Sequence, residues 1–240
     1  MLKGFYTSAC GLMTGLRRLD VVADNAANLN TPGFLRRRYA IQAGFGRALE
    51  AVAGGYSAPV GTARPVVVVT DVPCAAGPGE LKHTGRPLDV AAEDGLFFAV
   101  MQGGNVFYTR NGHFQVLPNG VLADAAGRPV LGTDGNPVVV GREDFLVLPD
   151  GTVTAPDGVT LGQLGLWRVE NPVPAGGGLY QGLAVTATGR VRQGWLCGPN
   201  TSLAQESVEL VAVQRAFESA QRVLVAEDQA LGSLISAVRA

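Results

Sequence analysis

Two apolar stripes, one at each end of the chain, constrain the fold more than any other feature of this sequence. At the N-terminal end, apolar residues recur at alternating spacings of three and four, at Leu2, Phe5, Ala9, Leu12, Leu16, Leu19, Ala23 and Ala26. At the C-terminal end the same spacing, interrupted only by Glu206 and Glu227, runs through Leu203, Leu210, Val213, Phe217, Ala220, Leu224, Leu231, Leu234 and Val238. This is the heptad spacing of helices that pack along a narrow seam. Each terminal helix therefore needs a partner seam, either in the other terminus or in neighbouring molecules.

The N-terminal stripe is followed by residues through which a helix cannot continue. Asn30, Thr31, Pro32 and Gly33 come directly after the last apolar positions. Proline restricts the residue before it to extended conformations, and glycine tolerates a positive φ. The sequence therefore predicts a structural turn at these four residues, with a new element beginning at Phe34.

Between the two stripes the apolar period changes from helical to strand-like. Short runs rich in valine, phenylalanine and leucine predict strands at Pro65 to Thr70, Leu96 to Met101, Val106 to Thr109 and Phe145 to Leu148. Turn signals that favour positive φ follow at Asn111-Gly112, Asn119-Gly120, Ala126-Gly127, Asp134-Gly135, Asp150-Gly151 and Asp157-Gly158. The 33 glycines and 14 prolines agree with many short strands joined by turns. We expect an α+β protein with a mainly antiparallel β domain flanked by N- and C-terminal α-helices.

These patterns divide the 240 residues into four segments. We expect an N-terminal helix and turn at 1–34, a joint with extended structure at 35–65, a β-rich domain at 66–199 and a C-terminal helix at 200–240. The joint has little apolar period and many glycines and alanines. The C-terminal helix is expected to pack with the N-terminal helix in a coiled-coil-like core.

Composition and charge make several partners unexpected. Hydrophobic residues form 47% of the chain and charged residues 16%, a balance typical of a globular protein. The formal net charge of −1 gives no general attraction to nucleic acid or to an anionic membrane. The sequence offers neither a secretory signal pattern nor an apolar run of membrane-spanning length, so we expect no direct membrane insertion. Cys10, Cys74 and Cys197 are too widely spaced for a disulfide framework or a zinc site, and are expected to be small buried hydrophobes.

No constellation of catalytic or ligand-binding residues stands out. The two histidines, His83 and His113, lie in turn-like sequence. The adjacent acidic residues Glu93-Asp94 and Glu143-Asp144 would point to opposite faces of an extended chain. The Asx-Gly steps lack the alternating carboxylates of a calcium loop. We therefore expect no catalytic residues, no cofactor and no metal, and interpret Arg36-Arg37-Arg38 as a solvated face or an inter-subunit charge pair.

Six segments resemble the signature motifs of one protein family. Residues Met1 to Leu12 and Arg18 to Phe34 resemble its N-terminal signature, Gly79 to Ala91, Asp94 to Val100 and Tyr108 to Phe114 its central motif, and Glu209 to Glu218 its C-terminal helix. The family that these segments resemble is that of the flagellar rod and hook proteins. The segment Leu196 to Ser202 departs from the family pattern before the last helix. The resemblance spans nearly the whole chain.

The resemblance implies a structural subunit of the flagellar basal-body rod that polymerises helically into a hollow drive shaft. It further implies a location in the basal body, outside the cytoplasm, and three kinds of partner: further copies of the same chain, other flagellar rod and hook proteins, and the flagellar export apparatus. Subunit packing is then expected in the terminal helices, at Leu2, Phe5, Ala9, Leu12, Leu16, Leu19, Ala23, Leu210, Val213, Phe217, Ala220, Leu224, Leu231 and Leu234.

Several alternatives remain at the level of sequence. The compact length favours a rod protein over a hook-type axial protein. Within the rod proteins, the opening and Gln214 to Glu218 favour the distal-rod type, whereas the short joint after Phe34 favours the proximal-rod type. From the residues alone, a soluble coiled-coil adaptor and an extracellular β enzyme are also open, and light scattering and a hydrolase screen would distinguish them.

Overall fold

A computed structural model describes residues 2–43, 48–53, 56–62, 67–72, 74, 77 and 79–239. The helix α1 (Leu2–Ala27) has 26 residues and lies near the beginning of the chain, and the helix α2 (Leu203–Arg239) has 37 residues and lies near its end. Every strand pair whose register the structure describes is antiparallel. The expected α+β class, with mainly antiparallel strands between terminal helices, is confirmed.

The strands follow one another between the two helices. They are β1 (Arg38–Ala43), β2 (Ala48–Ala53), β3 (Tyr56–Thr62), β4 (Val67–Val72), β5 (Leu81–His83), β6 (Val90–Ala92), β7 (Phe97–Gln102), β8 (Asn105–Thr109), β9 (Phe114–Val116), β10 (Leu122–Asp124), β11 (Val130–Leu131), β12 (Leu146–Val147), β13 (Thr152–Thr154), β14 (Thr160–Gln163), β15 (Leu166–Gly176), β16 (Leu179–Thr186), β17 (Val191–Gln193) and β18 (Trp195–Cys197). The first two residues of the predicted strand Pro65 to Thr70 lie outside the described residues.

The chain forms two compact units. The helix unit comprises Met1–Asp24, Tyr39–Val72 and Ala204–Ala240, and the β unit comprises Asn25–Arg38 and Pro73–Leu203. In the helix unit β1 pairs with β4 and β2 pairs with β3. Neither α1 nor α2 is long and apolar enough over its described residues to cross a membrane.

The β unit is built around a closed circuit of four strands. Strand β7 pairs with β8 and β15, β15 pairs with β16, and β16 returns to β8 through Tyr180 and Tyr108. The main core contains Phe98 and Phe114, whose rings meet edge to face with centroids 5.2 Å apart. A second cluster of buried residues gathers Leu35, Cys74, Phe97, Val169 and Tyr180.

The predicted turns of the β unit occur with one exception. The glycines of five Asx-Gly or Ala-Gly steps have positive φ, at Gly120, Gly127, Gly135, Gly151 and Gly158. Gly112 is absent from the positive-φ glycines, and a Cβ at this residue would overlap the carbonyl oxygen of Val90. The prediction of a positive-φ turn at Asn111-Gly112 is therefore wrong. Glycine serves there because the backbone of β6 passes too close for a side chain.

Candidate functional site

The helix unit brings α1 and α2 into close contact. A Cβ at Gly15 would lie 3.2 Å from Cδ2 of Phe217, and a Cβ at Gly11 would lie 3.9 Å from Cβ of Ala220. Higher residue numbers on α1 therefore face lower numbers on α2, and the two helices are antiparallel. A glycine in a helix interior costs about 0.5–1 kcal/mol relative to alanine. Two such glycines, one turn apart on the face toward α2, allow the backbones to approach closely.

A polar cluster ties three elements of the helix unit together beside this contact. Nη2 of Arg18 on α1 lies 3.2 Å from Oε1 of Glu209 on α2, and Nε of Arg18 donates to the hydroxyl of Tyr39 on β1 at 3.0 Å. The Tyr39 hydroxyl in turn donates to Oε1 of Glu209. Cζ of Arg18 also lies 5.2 Å from the centroid of the Tyr39 ring. Arg18, Tyr39 and Glu209, which we name the polar latch, thus restrict how α1 can slide along α2.

The pKa of Tyr39 in the polar latch is raised above its ordinary value. Partial burial, which disfavours the phenolate, is the largest cause of a raised pKa at Tyr39. The hydrogen bond to Glu209 raises the pKa further, while Arg18 opposes the rise. The cluster is only partly shielded from water, so its ion pair is partly screened. No local sequence pattern indicates the polar latch, because its members lie far apart in the chain.

Some of the predicted packing residues lie in the contact between the two helices, and others lie on the exposed surface of the helix pair. On α2 the predicted stripe forms one face, with Val213 buried and Leu210, Phe217, Ala220, Leu224 and Leu231 half-buried. On α1, Ala9, Leu12 and Leu19 are half-buried, whereas Leu16 and Ala23 are exposed. The side chains of Leu2, Phe5 and Leu234 lie outside the described residues. The contact face of α1 is thus centred on Gly11 and Gly15, one position away from the stripe through Leu12 and Leu16.

The predicted turn lies in the β unit. Helix α1 ends at Ala27, and Asn30, Thr31, Pro32 and Gly33 follow in a turn in which Gly33 has φ 71°. A Cβ at Gly33 would overlap the carbonyl carbon of Arg110. The position of this glycine therefore combines a left-handed backbone conformation with a close backbone approach.

The chain segments that continue from the turn are bonded to the segment that precedes α2. The N–H of Gly33 donates to the carbonyl of Cys197 at 2.7 Å, and the N–H of Asn200 donates to the carbonyl of Phe34 at 3.2 Å. Oδ1 of Asn200 accepts from the N–H of Arg36 at 2.5 Å. The segments 33–36 and 197–200, which we name the root, are thereby fixed to each other by backbone hydrogen bonds and by the side chain of Asn200.

A buried arginine supports the root. Arg110 is 2% exposed; its Nη1 donates to the carbonyl of Gly77 at 2.9 Å and its Nη2 lies 3.3 Å from Sγ of Cys197. Its Cζ lies 5.8 Å from the centroid of the Phe97 ring. Within the described ranges its Nε has no hydrogen-bond partner. No sequence pattern indicates that Arg110 is buried, because an arginine directly after a strand is usually exposed.

The two histidines lie in contacts within the β unit. Nδ1 of His113 is 2.8 Å from Oδ1 of the buried Asp89, and Nη1 of Arg86 is 2.9 Å from Nε2 of His113. The ring of His83 meets that of Trp195 edge to face, with centroids 4.9 Å apart. Both histidines therefore hold neighbouring strands and loops of the β unit together.

The acidic residues considered as acid and base are spread over the β unit. Glu93 forms an ion pair with Arg192, and Asp144 lies 3.3 Å from Arg142 in an exposed pair. Across the part of the chain that the structure describes, no group of three or more histidines, cysteines, aspartates or glutamates could hold a metal ion. The arrangement offers surfaces for packing. The helix pair and the root are therefore the candidate functional features.

Comparison with known proteins agrees with these features. The family model described as flagella basal body rod protein matches residues 5–34, the one for the flagellar hook protein FlgE/F/G D1 domain matches 93–192, and the one for the flagellar basal body rod FlgEFG protein C-terminal matches 192–237. The first match ends one residue after the turn, and the third covers almost all of α2.

Relatives that match over nearly their whole length are also named flagellar basal-body rod proteins. The chain is similar to the flagellar basal-body rod protein FlgG of Bacillus subtilis, with 27% identity over 100% of both chains. It is 30% identical to the rod protein FlgF of Caulobacter vibrioides over 93% of both chains, and 30% identical to FlgF of Salmonella typhimurium over 95% of both. The resemblance inferred from the motifs is confirmed, and the chain belongs to the flagellar basal-body rod protein family.

Proposed function

We propose that this rod protein polymerises helically through α1 and α2, so that the helices of many copies form a coiled-coil-like axial core that serves as the drive shaft of the flagellum. As a member of its family the chain is a structural rod subunit of the flagellar basal body. The packing residues predicted on the two stripes and the turn at Asn30 to Gly33 are assigned to this assembly. The division into an N-terminal axial helix and turn, a joint, a β-rich domain and a C-terminal axial helix remains part of the proposal.

The observation that carries this proposal is the apolar surface that the helix pair leaves exposed. After α1 and α2 have met within one chain, eight large apolar residues are exposed among the helix side chains that the structure describes: Met13, Leu16, Leu203, Val208, Val211, Val223, Val225 and Ile235. Single exposed apolar residues are ordinary, but a concentration of them on two long helices marks an interaction surface. Further copies of the same helices offer matching surfaces, because all subunits carry the same sequence.

The proposal includes the partners and the location that the family implies. Neighbours along the axis would be other rod and hook proteins, and delivery would require the flagellar export apparatus to carry the chain out of the cytoplasm. The function is mechanical, with no catalytic step, no cofactor, no nucleic acid and no membrane insertion.

Sedimentation of the purified full-length chain tests the proposal. We expect polymers that pellet and that appear as filaments or tubes by electron microscopy, and we expect a chain truncated after Pro199 to remain soluble. The two tryptophans, Trp167 and Trp195, lie in the β unit, so their fluorescence verifies that the truncated chain keeps this unit folded. A closed dimer or tetramer of the full-length chain would instead favour the coiled-coil adaptor.

A further inference from the structure

We propose that a groove on the helix pair receives α1 of a second copy, with Met13 of that copy as the residue that enters it. The inference rests on the proposed polymerisation and names the surface and the segment that would carry it. The groove has a volume of about 670 Å³ and lies between α1 and the middle of α2. All of its lining residues belong to the helix unit.

The lining combines an apolar floor with a charged rim. Leu12 of α1 and Leu224, Val225 and Ala226 of α2 supply apolar surface, and the rim includes Glu218 and Arg222. These two rim residues form an exposed pair within α2, with Nη2 of Arg222 3.6 Å from Oε2 of Glu218. An exposed pair of this spacing is weak. Glu218 is therefore available for a cation from another molecule.

A second copy presents a matching ridge on the outer face of α1. Met13, Leu16, Arg17 and Asp20 follow at helical spacings of three, one and three, so they share one face, and all four are exposed. Met13 is 67% exposed, the largest exposed fraction among the large apolar side chains of α1 that the structure describes. Methionine is unbranched and flexible, so it adapts to an irregular apolar groove.

The direction of docking follows from the polarity of a polymer. In an open helical polymer all subunits point the same way along the axis. Because α1 and α2 are antiparallel within one chain, α1 of a neighbour is also antiparallel to the α2 on which it docks. Residue numbers on α1 of the neighbour therefore rise in the direction in which residue numbers on α2 fall.

The charges agree with an antiparallel register. When Arg17 of the second copy lies opposite Glu218, Asp20 lies three residues further along and faces Arg215, which is exposed on α2. Both pairs then join opposite charges. In the same register Met13 lies opposite Arg222, and helical side chains lean toward the N-terminus of their own helix. The Met13 side chain therefore leans toward Val225 and the apolar floor of the groove.

Crosslinking of assembled full-length chain tests the contact. In a Cys10→Ala background, the variant with Met13→Cys and Val225→Cys is polymerised and treated with a short bismaleimide. We expect a ladder of covalent multimers under denaturing electrophoresis. The matched control pairs Met13→Cys with Val208→Cys, because Val208 is exposed on α2 but lies outside the groove. We expect monomer from this control and from Met13→Cys alone.

The outcomes separate the groove from the polymer itself. Polymer that pellets normally and gives no ladder, or an equal ladder from the Val208 control, overturns the groove contact and leaves the proposed function standing. Absence of polymer from the unmodified full-length chain overturns both.

A charge exchange supplies a second readout. We expect Arg17→Glu to raise the protein concentration needed for sedimentation by about tenfold, because two carboxylates then face each other between copies. Adding Glu218→Arg to the same chain should return that concentration to near the original. If the double variant assembles no better than Arg17→Glu alone, Arg17 and Glu218 do not meet and the proposed register is wrong.

Discussion

Gly33 shows how one residue can carry two constraints at once. Its φ of 71° is a conformation that side chains disfavour, and the backbone of Arg110 occupies the space that a Cβ would need. Gly127 has a similar φ of 79° but nothing lies within 4 Å of a Cβ there. A side chain added at Gly127 therefore meets backbone strain alone, whereas one added at Gly33 meets both backbone strain and steric overlap. Both glycines lie in the β unit.

We predict that Gly33→Ala destabilises the β unit more than Gly127→Ala. The left-handed conformation alone costs an alanine about 1–2 kcal/mol, and at Gly33 the overlap with Arg110 adds to this cost. Unfolding in urea, followed by tryptophan fluorescence, measures the free energy of unfolding of both variants. An equal decrease in the free energy of unfolding of the two variants would show that the surrounding structure accommodates a Cβ next to Arg110 without cost.

Tyr39 gives the polar latch a dependence on pH. Its pKa is raised above the ordinary value of 10.0 in the folded chain, mainly by burial. A group with a raised pKa contributes stability that is present below its unfolded pKa and is lost as the pH rises through its folded pKa. The contribution of the neutral tyrosine should therefore be constant below about pH 10 and decline above it.

We predict that the stability difference between the unmodified chain and Tyr39→Phe narrows above that pH. Helical circular dichroism during thermal unfolding at a series of pH values from neutral to alkaline measures the difference. The comparison removes the titration of other tyrosines and lysines, because these are common to both chains. A difference that stays constant across the range would mean that Tyr39 titrates alike in the folded and unfolded chain.

At the scale of elements, local patterns were predictable and distant pairings were not. The heptad stripe of α2 and the turns at Gly120 and Gly135 depend on neighbours in sequence, so periodicity and turn chemistry predict them. The pairing of β18 with β5 joins residues more than a hundred positions apart, and no local signal encodes it. The family motifs, in contrast, led directly to the correct family.

The face of α1 illustrates why the site was only partly predictable. Leu12 and Leu16 suggested the contact because they are apolar, but the structure places Gly11 and Gly15 against α2. Glycines in a helix weaken it, so their presence at two positions one turn apart was the available signal for close helix packing. Arg18, which lies off the predicted stripe, belongs to the polar latch.

We predict that Phe217→Asp destabilises the helix unit and leaves the β unit intact. Phe217 is half-buried, so the substitution removes at most roughly 1.5–3 kcal/mol of apolar burial, and it places a carboxylate against Gly15 at a further cost in desolvation. Helical circular dichroism should show unfolding at a lower temperature, while tryptophan fluorescence of the β unit should be unchanged. Gln214→Asp is the control, since Gln214 is exposed on the same helix. Similar losses in the two variants would contradict a specific Phe217 contact.

For the molecule as a whole, the helix pair has an inner and an outer apolar surface. The inner surface, with Val213 and Phe217, is used within one chain, whereas the outer surface, with Met13 and Leu16, remains exposed. Substitutions on the inner surface should affect both the single chain and the polymer. Substitutions on the outer surface should affect the polymer alone, which separates folding from assembly.

We predict that Leu16→Asp abolishes polymerisation while the single chain keeps its stability. Leu16 is 50% exposed, so its replacement should change the free energy of unfolding of the dilute chain by no more than about 0.5 kcal/mol. In a polymer the same carboxylate would enter an apolar contact at every subunit, so a modest local cost is repeated along the whole assembly. Sedimentation measures the polymer, and helical circular dichroism of the dilute chain measures its stability. Val139→Asp is the matched control, because Val139 is 54% exposed but lies in the β unit, and it should polymerise normally. Polymers of normal yield from Leu16→Asp, or equal loss from Val139→Asp, would show that the outer surface of α1 is not what joins the subunits.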